Sequence, residues 1–578
     1  MSAMSNLVPP ADVAAICAQI ERAPDIDRLR ALLPDASGLD ADIVGAVLEE
    51  ASKFAQAWLN PLNPATDRHG CRVDEGRVRT APGHVEAWQA YRDAGWLGVD
   101  QAADLGGQEL PLVVLAACTE IFDRGCVAFG MLPTAQRAAA RLLAAHADTA
   151  MKDEWLARLV SGEWTATICI SEPDAGSDVG RIRTLAEPGE DGEWRITGEK
   201  IWISYGDHDL GSRIGHCILA RTPGAAPGAA GLSLFLAPDS HPGPGGEPVR
   251  NAIAVRRLEE KMGLHGSPTC ALGFEGARAR MIGQPGRGLS QLFTMIAVMR
   301  LMVAVQGLAL AGGAADVALG YAEERRQGGA SDAAPTPIVE HADVQRMLMN
   351  MSSRVEVVRG VILAAAVQAD IGRLETDPER AARANALSSW LLPIAKTFGG
   401  ETAFEIASEA IQVLGGAGYV KDWPVEQTLR DSRVFTIFEG TSGIQALDLL
   451  HRRLRRDKGA GLQAFLDAAR ADVDASHRQE AAAVGRTLDL LQEAARRLAA
   501  GNSDTPAYAL LKLAAHAATG WIALRLAGIE GQDPAARRLA AAGRWQLADL
   551  ESRAAFEHAQ TLIGDERMAL FEAVRRRP

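Results

Sequence analysis

Aromatic side chains are scarce, 5% of the 578 residues, while alanine runs recur throughout; that balance favours helices over an all-β architecture. There is no excess of positive charge. Lys+Arg 60 against Asp+Glu 73 leaves a net charge of −13, which argues against a nucleic-acid footprint, since that requires concentrated Lys and Arg. The seven cysteines (Cys17, Cys71, Cys118, Cys126, Cys169, Cys217, Cys270) are scattered and form no C-x-x-C pair. They supply neither a disulfide framework nor a zinc ribbon, and a reducing compartment follows. His208, His216 and His265 lack ligand spacing, so no metal site is expected. A Walker A loop, a G-x-S-x-G elbow and an H-E-x-x-H pair are all missing. The run Gly415–Gly416–Ala417–Gly418 follows a helical pattern rather than a strand, the wrong context for a Rossmann fingerprint. The first 25 residues carry acids and no basic segment before an apolar run, so no signal peptide is expected. The most apolar stretch, Leu301–Ala315, contains Gln306 and three glycines and falls short of the roughly 20 residues of a bilayer span. A cytoplasmic protein is expected.

What is present is ordinary globular composition, 47% hydrophobic and 23% charged. Val44, Val47, Leu48, Ala51, Phe54, Ala55 and Trp58 recur at three and four, with Asp40 or Asp42 placed as a cap. His84–Ala94, with Gly95 as its stop, Leu112–Phe122 and Gln136–Val160 extend this helical block. From Thr165 to Ala279 the period becomes two, with Gly, Pro and Asp clusters between short segments, the pattern of strands. Helices return after Gly288: Leu289–Arg326, Asp343–Leu374, Thr376–Gly400 and Thr402–Leu414, with a loop at Gln327–Pro337. The DKGAG segment at Asp457–Gly461 precedes a last helical stretch, in which Ser503 and Asp504 before Pro506 mark a start. The expected fold is α+β multidomain and mostly α. It comprises an N-terminal helical domain (1–164), a β-barrel or sandwich domain (165–280), a four-helix-bundle domain (281–456) and an additional C-terminal helical domain (457–578). The basic run His451–Arg456 reads as a solvated helix terminus.

Two stretches have features that point to chemistry. In CISEPDAGSD (Cys169–Asp178), a strand runs into Pro173 and Gly176, with Ser171 and Ser177 bracketing the turn. Backbone N–H groups and hydroxyls there can face the polar edge of a planar cofactor, and a plain tight turn uses the same residues. In GEKIWIS, Trp202 and Ser204 fall on one face of a strand by the two-residue period; an aromatic beside a hydroxyl suits a flavin, and a core Trp competes with that reading. In RDSRVFTIFEGTSGIQ, Glu439 follows Val434, Phe435, Ile437 and Phe438 and precedes Gly440. A carboxylate in apolar surroundings has a raised pKa, useful to a general base, and a solvated helix-terminal Glu is the alternative.

CISEPDAGSDV, GEKIWIS, QVLGGAGY and FEGTSGIQ, in this order and spacing, resemble the acyl-CoA dehydrogenase family from about Ile43 to Leu454. DAGWLGV, GDHDL, EEKMGLHGSPTC, VQGLAL, EHADVQRMLM and IQALDLLHRRL are similar to the longer subgroup that includes the 3-methylmercaptopropionyl-CoA dehydrogenases, as is the extra C-terminal helical domain.

The resemblance implies FAD as cofactor, an acyl-CoA thioester as substrate and an electron-transfer flavoprotein as electron acceptor. It implies that Glu439 takes the α proton while the β hydrogen leaves as hydride for flavin N5. The Glu439 backbone N–H and a ribityl hydroxyl would stabilise the enolate. In relatives whose base precedes a helix arginine, that slot is here Met299 before Arg300, and a thioether accepts no proton. Arg300 resembles the arginine that supports the catalytic loop. Ile168, Ile170, Ser171, Trp202 and Ser204 match the flavin-side strands, and Thr441 matches the hydroxyl after the catalytic pair. Ser177 matches a substrate contact. Arg325 matches an arginine that reaches FAD phosphates from a neighbouring subunit, and Gln412, Gly415 and Gly416 match the adenosine-side loop; a homodimer or larger homo-oligomer is therefore expected. Three departures stand out: Arg325-Arg326-Gln327-Gly328 lacks the cofactor-covering phenylalanine of shorter relatives, Gly443 replaces a glutamine, and Ala297 replaces an acidic or amide residue near the CoA arm. An oxygen-using acyl-CoA oxidase and a non-catalytic, nucleic-acid-binding member of the same fold are the alternatives.

Overall fold

The alternating segment becomes a seven-stranded sheet in a computed structural model that describes residues 7–33 and 36–575. Its strands are β1 (Trp164–Cys169), β2 (Leu185–Pro188), β3 (Trp194–Ser204), β4 (Arg213–Arg221), β5 (Leu232–Pro238), β6 (Ile253–Leu258) and β7 (Thr269–Ile282). Strand β7 pairs with β3, β3 with β2, β2 with β4 at Leu185–Arg221, β4 with β5, and β5 returns to β7. Closure, through the single Leu185–Arg221 pair, decides for a barrel over a sandwich. Strand β6 adds to β7, and β1 runs parallel to β4. Cys169, Ile196, Ile203, Ile218, Phe235, Leu272 and Phe274 fill the interior, each at most 2% exposed.

Residue contacts divide the chain into two compact units. A sheet unit comprises Lys53–Leu110 and Gly125–Met302, and a helical unit comprises Met1–Ser52, Pro111–Arg124 and Val303–Pro578. Residues 457–578 thus belong with the bundle that precedes them. The long helices are α1 (Leu112–His146), α2 (Gly288–Glu324), α3 (Ala342–Leu374), α4 (Pro378–Leu414) and, after the short α5 (Ser442–Leu447), α6 (Ala507–Ala527). Helix α1 is kinked by the extended backbone of Cys126, beside the unit boundary, where the sequence pattern shows two separate segments.

Helix α4 corrects the expected break at Gly400. Gly399 and Gly400 sit inside one continuous 37-residue helix because their missing side chains permit contact. A Cβ at Gly399 would lie 2.6 Å from the Ala304 carbonyl oxygen of α2, and one at Gly400 would lie 2.7 Å from that of Phe435. Tertiary packing overrides local propensity here. Asp40 is confirmed as a cap, accepting from the N–H groups of Asp42 (3.0 Å) and Ile43 (3.3 Å). At α6 the start is where the sequence puts it, but Ser503 and Asp504 do not cap it. Ser503 binds Asp565 and Asp504 pairs with His451. The basic run His451–Arg456 is not simply solvated either: Arg455 donates to the carbonyls of Leu498 (3.2 Å) and Ser503 (3.0 Å), stapling the bundle to the following helices.

A buried polar network ties the helical unit together. Arg359 of α3 pairs with Glu120 (2.7 Å) and with Glu356; Glu356 also receives Gln19 Nε2 (2.6 Å) and Arg538 (3.1 Å). Among the described residues two helices, α2 and α6, are long and apolar enough to cross a membrane, a wider stretch than Leu301–Ala315 suggested. Their apolar windows are 67% and 83% buried within the protein, as bundle-core helices are.

Candidate active site

In the sheet unit, the turn after β1 is fixed to β3 from below. Lys200, fully buried, donates to the Ile170 carbonyl (3.0 Å) and to Glu172 (2.8 Å). Glu172 also accepts from the Arg183 N–H (2.7 Å), the Thr184 N–H (3.1 Å) and the Thr184 hydroxyl (2.6 Å). Burial pushes the Glu172 carboxyl upward, but the Lys200 ammonium and these donors outweigh it and hold the group below the usual carboxylate range. The Ile201 N–H donates to the Ser171 carbonyl (2.9 Å), and the Thr167 hydroxyl to that of Ser204 (2.7 Å), setting the end of β1 beside the end of β3. Ile168, Ile170, Ser171 and Ser204 are half-buried, and Ser177 is exposed.

Trp202 has φ +61° and is 58% exposed. The register of β3 against β7 shifts between Cys270 and Leu272, so Trp202 stands at a β-bulge. A bulge re-aims a side chain. The simple two-residue period therefore slips: Lys200 and Ile203 both point inward, and Trp202 points out. A bulky residue at positive φ is strained and persists only where its surroundings impose it.

In the helical unit, Glu439 lies in the short loop between a 3-10 turn (Arg433–Thr436) and α5. It is half-buried, with φ +54°, and is followed by Gly440 at φ +90°. Fully buried Lys396 of α4 donates to the carbonyls of Phe435 (2.9 Å) and Gly440 (2.7 Å). Fully buried Gln445 of α5 donates to those of Glu439 (3.1 Å) and Gly440 (3.3 Å). Thr441 caps α5, its side chain accepting from the Ile444 N–H (3.2 Å). The apolar run before Glu439 does not form one wall: a 3-10 turn buries Phe435 against Phe438 (ring centroids 5.5 Å apart) and leaves Ile437 51% exposed.

Arg325 is exposed just beyond α2, with its N–H on the Tyr321 carbonyl (2.8 Å). The Tyr321 ring meets Trp423 edge-on at 5.1 Å, bringing the end of α2 beside the turn after α4. There Gln412, Gly415 and Gly416 are exposed, with Gly415 at φ +60°. Met299 is buried, Arg300 half-buried and Ala297 exposed, all on the part of α2 within the sheet unit. Glu439 and Thr441 are thus grouped in one unit, and Ile168, Ile170, Ser171, Trp202 and Ser204 in the other.

The sequence reading did not single out Lys396, Gln445, Glu172 or Lys200, whose hydrogen bonds hold these two segments. The last three stood inside segments already singled out. Lys396 had a signal of its own as the one charge in the apolar run WLLPIAKTFGG.

A helical block, a closed β-barrel and a helical bundle follow one another along the chain. Three domain signatures agree: "Acyl-CoA dehydrogenase, N-terminal domain" matches residues 45–163, "middle domain" 167–277 and "C-terminal domain" 286–455. The chain belongs to the acyl-CoA dehydrogenase family, whose enzymes are FAD-dependent. It is 36% identical over 538 residues to the 3-methylmercaptopropionyl-CoA dehydrogenase of Ruegeria pomeroyi, spanning 90% of each chain. To the broad-specificity linear acyl-CoA dehydrogenase FadE5 of Mycobacterium tuberculosis it is 35% identical over 461 residues, 76% of this chain and 72% of that one. The fold matches Caenorhabditis elegans ACDH-11, solved with C11-CoA, at a TM-score of 0.78 and 21% identity, covering 94% of this chain and 92% of that one.

Proposed function

We propose that this acyl-CoA dehydrogenase removes the α proton of its thioester substrate with Glu439 and passes the electrons to an electron-transfer flavoprotein. The observation that carries the assignment is the loop itself: a carboxylate residue at φ +54° whose flanking carbonyls are gripped by two fully buried side chains. Strain of about 1–3 kcal/mol persists only where the surroundings over-determine it, and it clusters at active sites. A thioester α proton is far less acidic than a carboxylic acid, so the base works only if the developing enolate is stabilised. The Glu439 N–H is the protein's donor for that oxyanion, and such a donor is worth roughly 3–4 kcal/mol.

The residues of the sheet unit fit FAD. The Trp202 indole is uncovered within its own unit, and the ends of the two strands that carry Ile168, Ile170, Ser171 and Ser204 are bonded together, which offers apolar and hydroxyl groups to a planar ring. When bound, FAD supplies the acceptor for the β hydrogen. Arg325, Gln412, Gly415 and Gly416 would hold its phosphate and adenosine portions from a second subunit, Thr441 would add a hydroxyl, and Ser177 would meet the substrate. The substrate is a short or medium acyl-CoA, sulfur-containing or branched, in line with the Ruegeria relative's 3-methylmercaptopropionyl-CoA.

Glu439→Gln should keep yellow flavin and lose turnover by about 10²–10⁴-fold with a dye acceptor across a panel of acyl-CoAs. Normal turnover in that variant sinks the base assignment. Reduction of oxygen in preference to the dye would make the enzyme an oxidase.

A further inference from the structure

The two buried side chains that grip the loop are costly to place there. An ammonium taken out of water is penalised by several kcal/mol, and an apolar residue would fill the same space in an alanine-rich helix without that cost. Lys396 is nonetheless 0% exposed, with its Nζ on two backbone carbonyls that bracket Glu439: Phe435 four residues before it and Gly440 one residue after. Gln445 adds a second grip from α5 on the carbonyl of Glu439 itself. Gly400 lies one turn from Lys396 on the same face of α4 and lets the helix backbone touch the Phe435 carbonyl. The loop is thereby seated from both sides, at one end by α4 and at the other by the helix that follows it.

We propose that Lys396 and Gln445 are positioning residues that hold the Glu439 backbone in its left-handed conformation and so aim the carboxylate at the substrate α carbon. This rests on the assignment of Glu439 as base. The clamp acts through the backbone, by bonds to the carbonyls of Phe435, Glu439 and Gly440. Its loss therefore affects the rate of proton removal and leaves the affinity for the thioester in place, because a small misplacement of a reacting group costs rate first.

The test uses the flavin-loaded enzyme in single turnover, following bleaching of the flavin after mixing with an acyl-CoA that the native enzyme oxidises. For Lys396→Met the saturating bleaching rate should fall roughly a hundredfold. The apparent Kd for acyl-CoA should stay within about threefold, and flavin content should be unchanged. Lys396→Gln, which keeps a donor, should recover part of the rate. A native saturating rate in Lys396→Met, or a loss confined to acyl-CoA affinity, overturns the proposal. Should Lys396→Met fail to fold with flavin, Gln445→Leu decides: slower bleaching at full flavin content supports the clamp, and a native rate refutes it. Glu439→Gln is run in parallel. If it is inert while the clamp variants bleach normally, only the clamp fails; if it bleaches at the native rate, the base assignment itself is wrong.

Discussion

Trp202 in the barrel and Glu439 in the helical unit present the same local oddity, a bulky or charged residue at positive φ (+61° and +54°), each beside a fully buried lysine. What backs them differs. Around Trp202 the ladder between β3 and β7 holds the backbone on both sides of the bulge, and Lys200 meets a carboxylate, Glu172, as well as the Ile170 carbonyl. Around Glu439 the chain is a loop between helices, and Lys396 and Gln445 bond the loop carbonyls directly. A sheet supplies its own restraint through its ladder; a loop has to borrow restraint from side chains. That contrast predicts that damage to the barrel's lysine shows up chiefly as lost stability, and damage to the loop's lysine chiefly as lost rate.

Acid should separate the two units most. The sheet unit buries His84, His208 and His216, whose pKa values burial pushes down to about 4, 3 and 4. The helical unit buries His516, pushed down to about 3 by burial and then by neighbouring cations. A folded pKa below the unfolded value of about 6.5 costs nothing above that pH. As pH falls from there toward 4, the unfolded chain takes protons that the folded chain refuses, and stability drops by roughly 3 kcal/mol per imidazole. Hydrogen exchange near pH 4.5 should therefore show the strands losing protection before the bundle helices. Simultaneous loss, or bundle helices first, would break the comparison.

Lys200→Met should cost about 3–5 kcal/mol, because it leaves the Glu172 carboxylate buried without its cation. The denaturation midpoint measures this, and an unchanged midpoint would show that the barrel does not depend on the pair. Smaller again, Gly400→Ala should cost about 1–3 kcal/mol by pressing a methyl into the Phe435 carbonyl. Its counterpart in the sheet unit is Gly176→Ala, where nothing lies within 4 Å of the added carbon and the midpoint should move by less than about 0.5 kcal/mol. Equal effects at the two glycines would mean that the close approach of α4 to the loop is unimportant.

The sequence alone determined where the main sheet replaces helices, because a period of two and a period near four are local properties of neighbouring residues; the short hairpin of Arg72–Asp74 and Arg77–Arg79, inside the block expected to be helical, was not read from it. It also determined the family, through ordered motifs that carry Glu439, Trp202 and Ser171. Closure of the barrel, the bulge that turns Trp202 outward and the unbroken passage of α4 through Gly399 and Gly400 were decided only by tertiary structure. Each depends on contacts between segments far apart in the chain: β5 with β7, β3 with β7, and α4 with Ala304 and Phe435. The same holds for Lys396. As one charge in an apolar run it could have been read as an interruption, and its meaning comes from two carbonyls about forty residues downstream that only the folded chain brings to it.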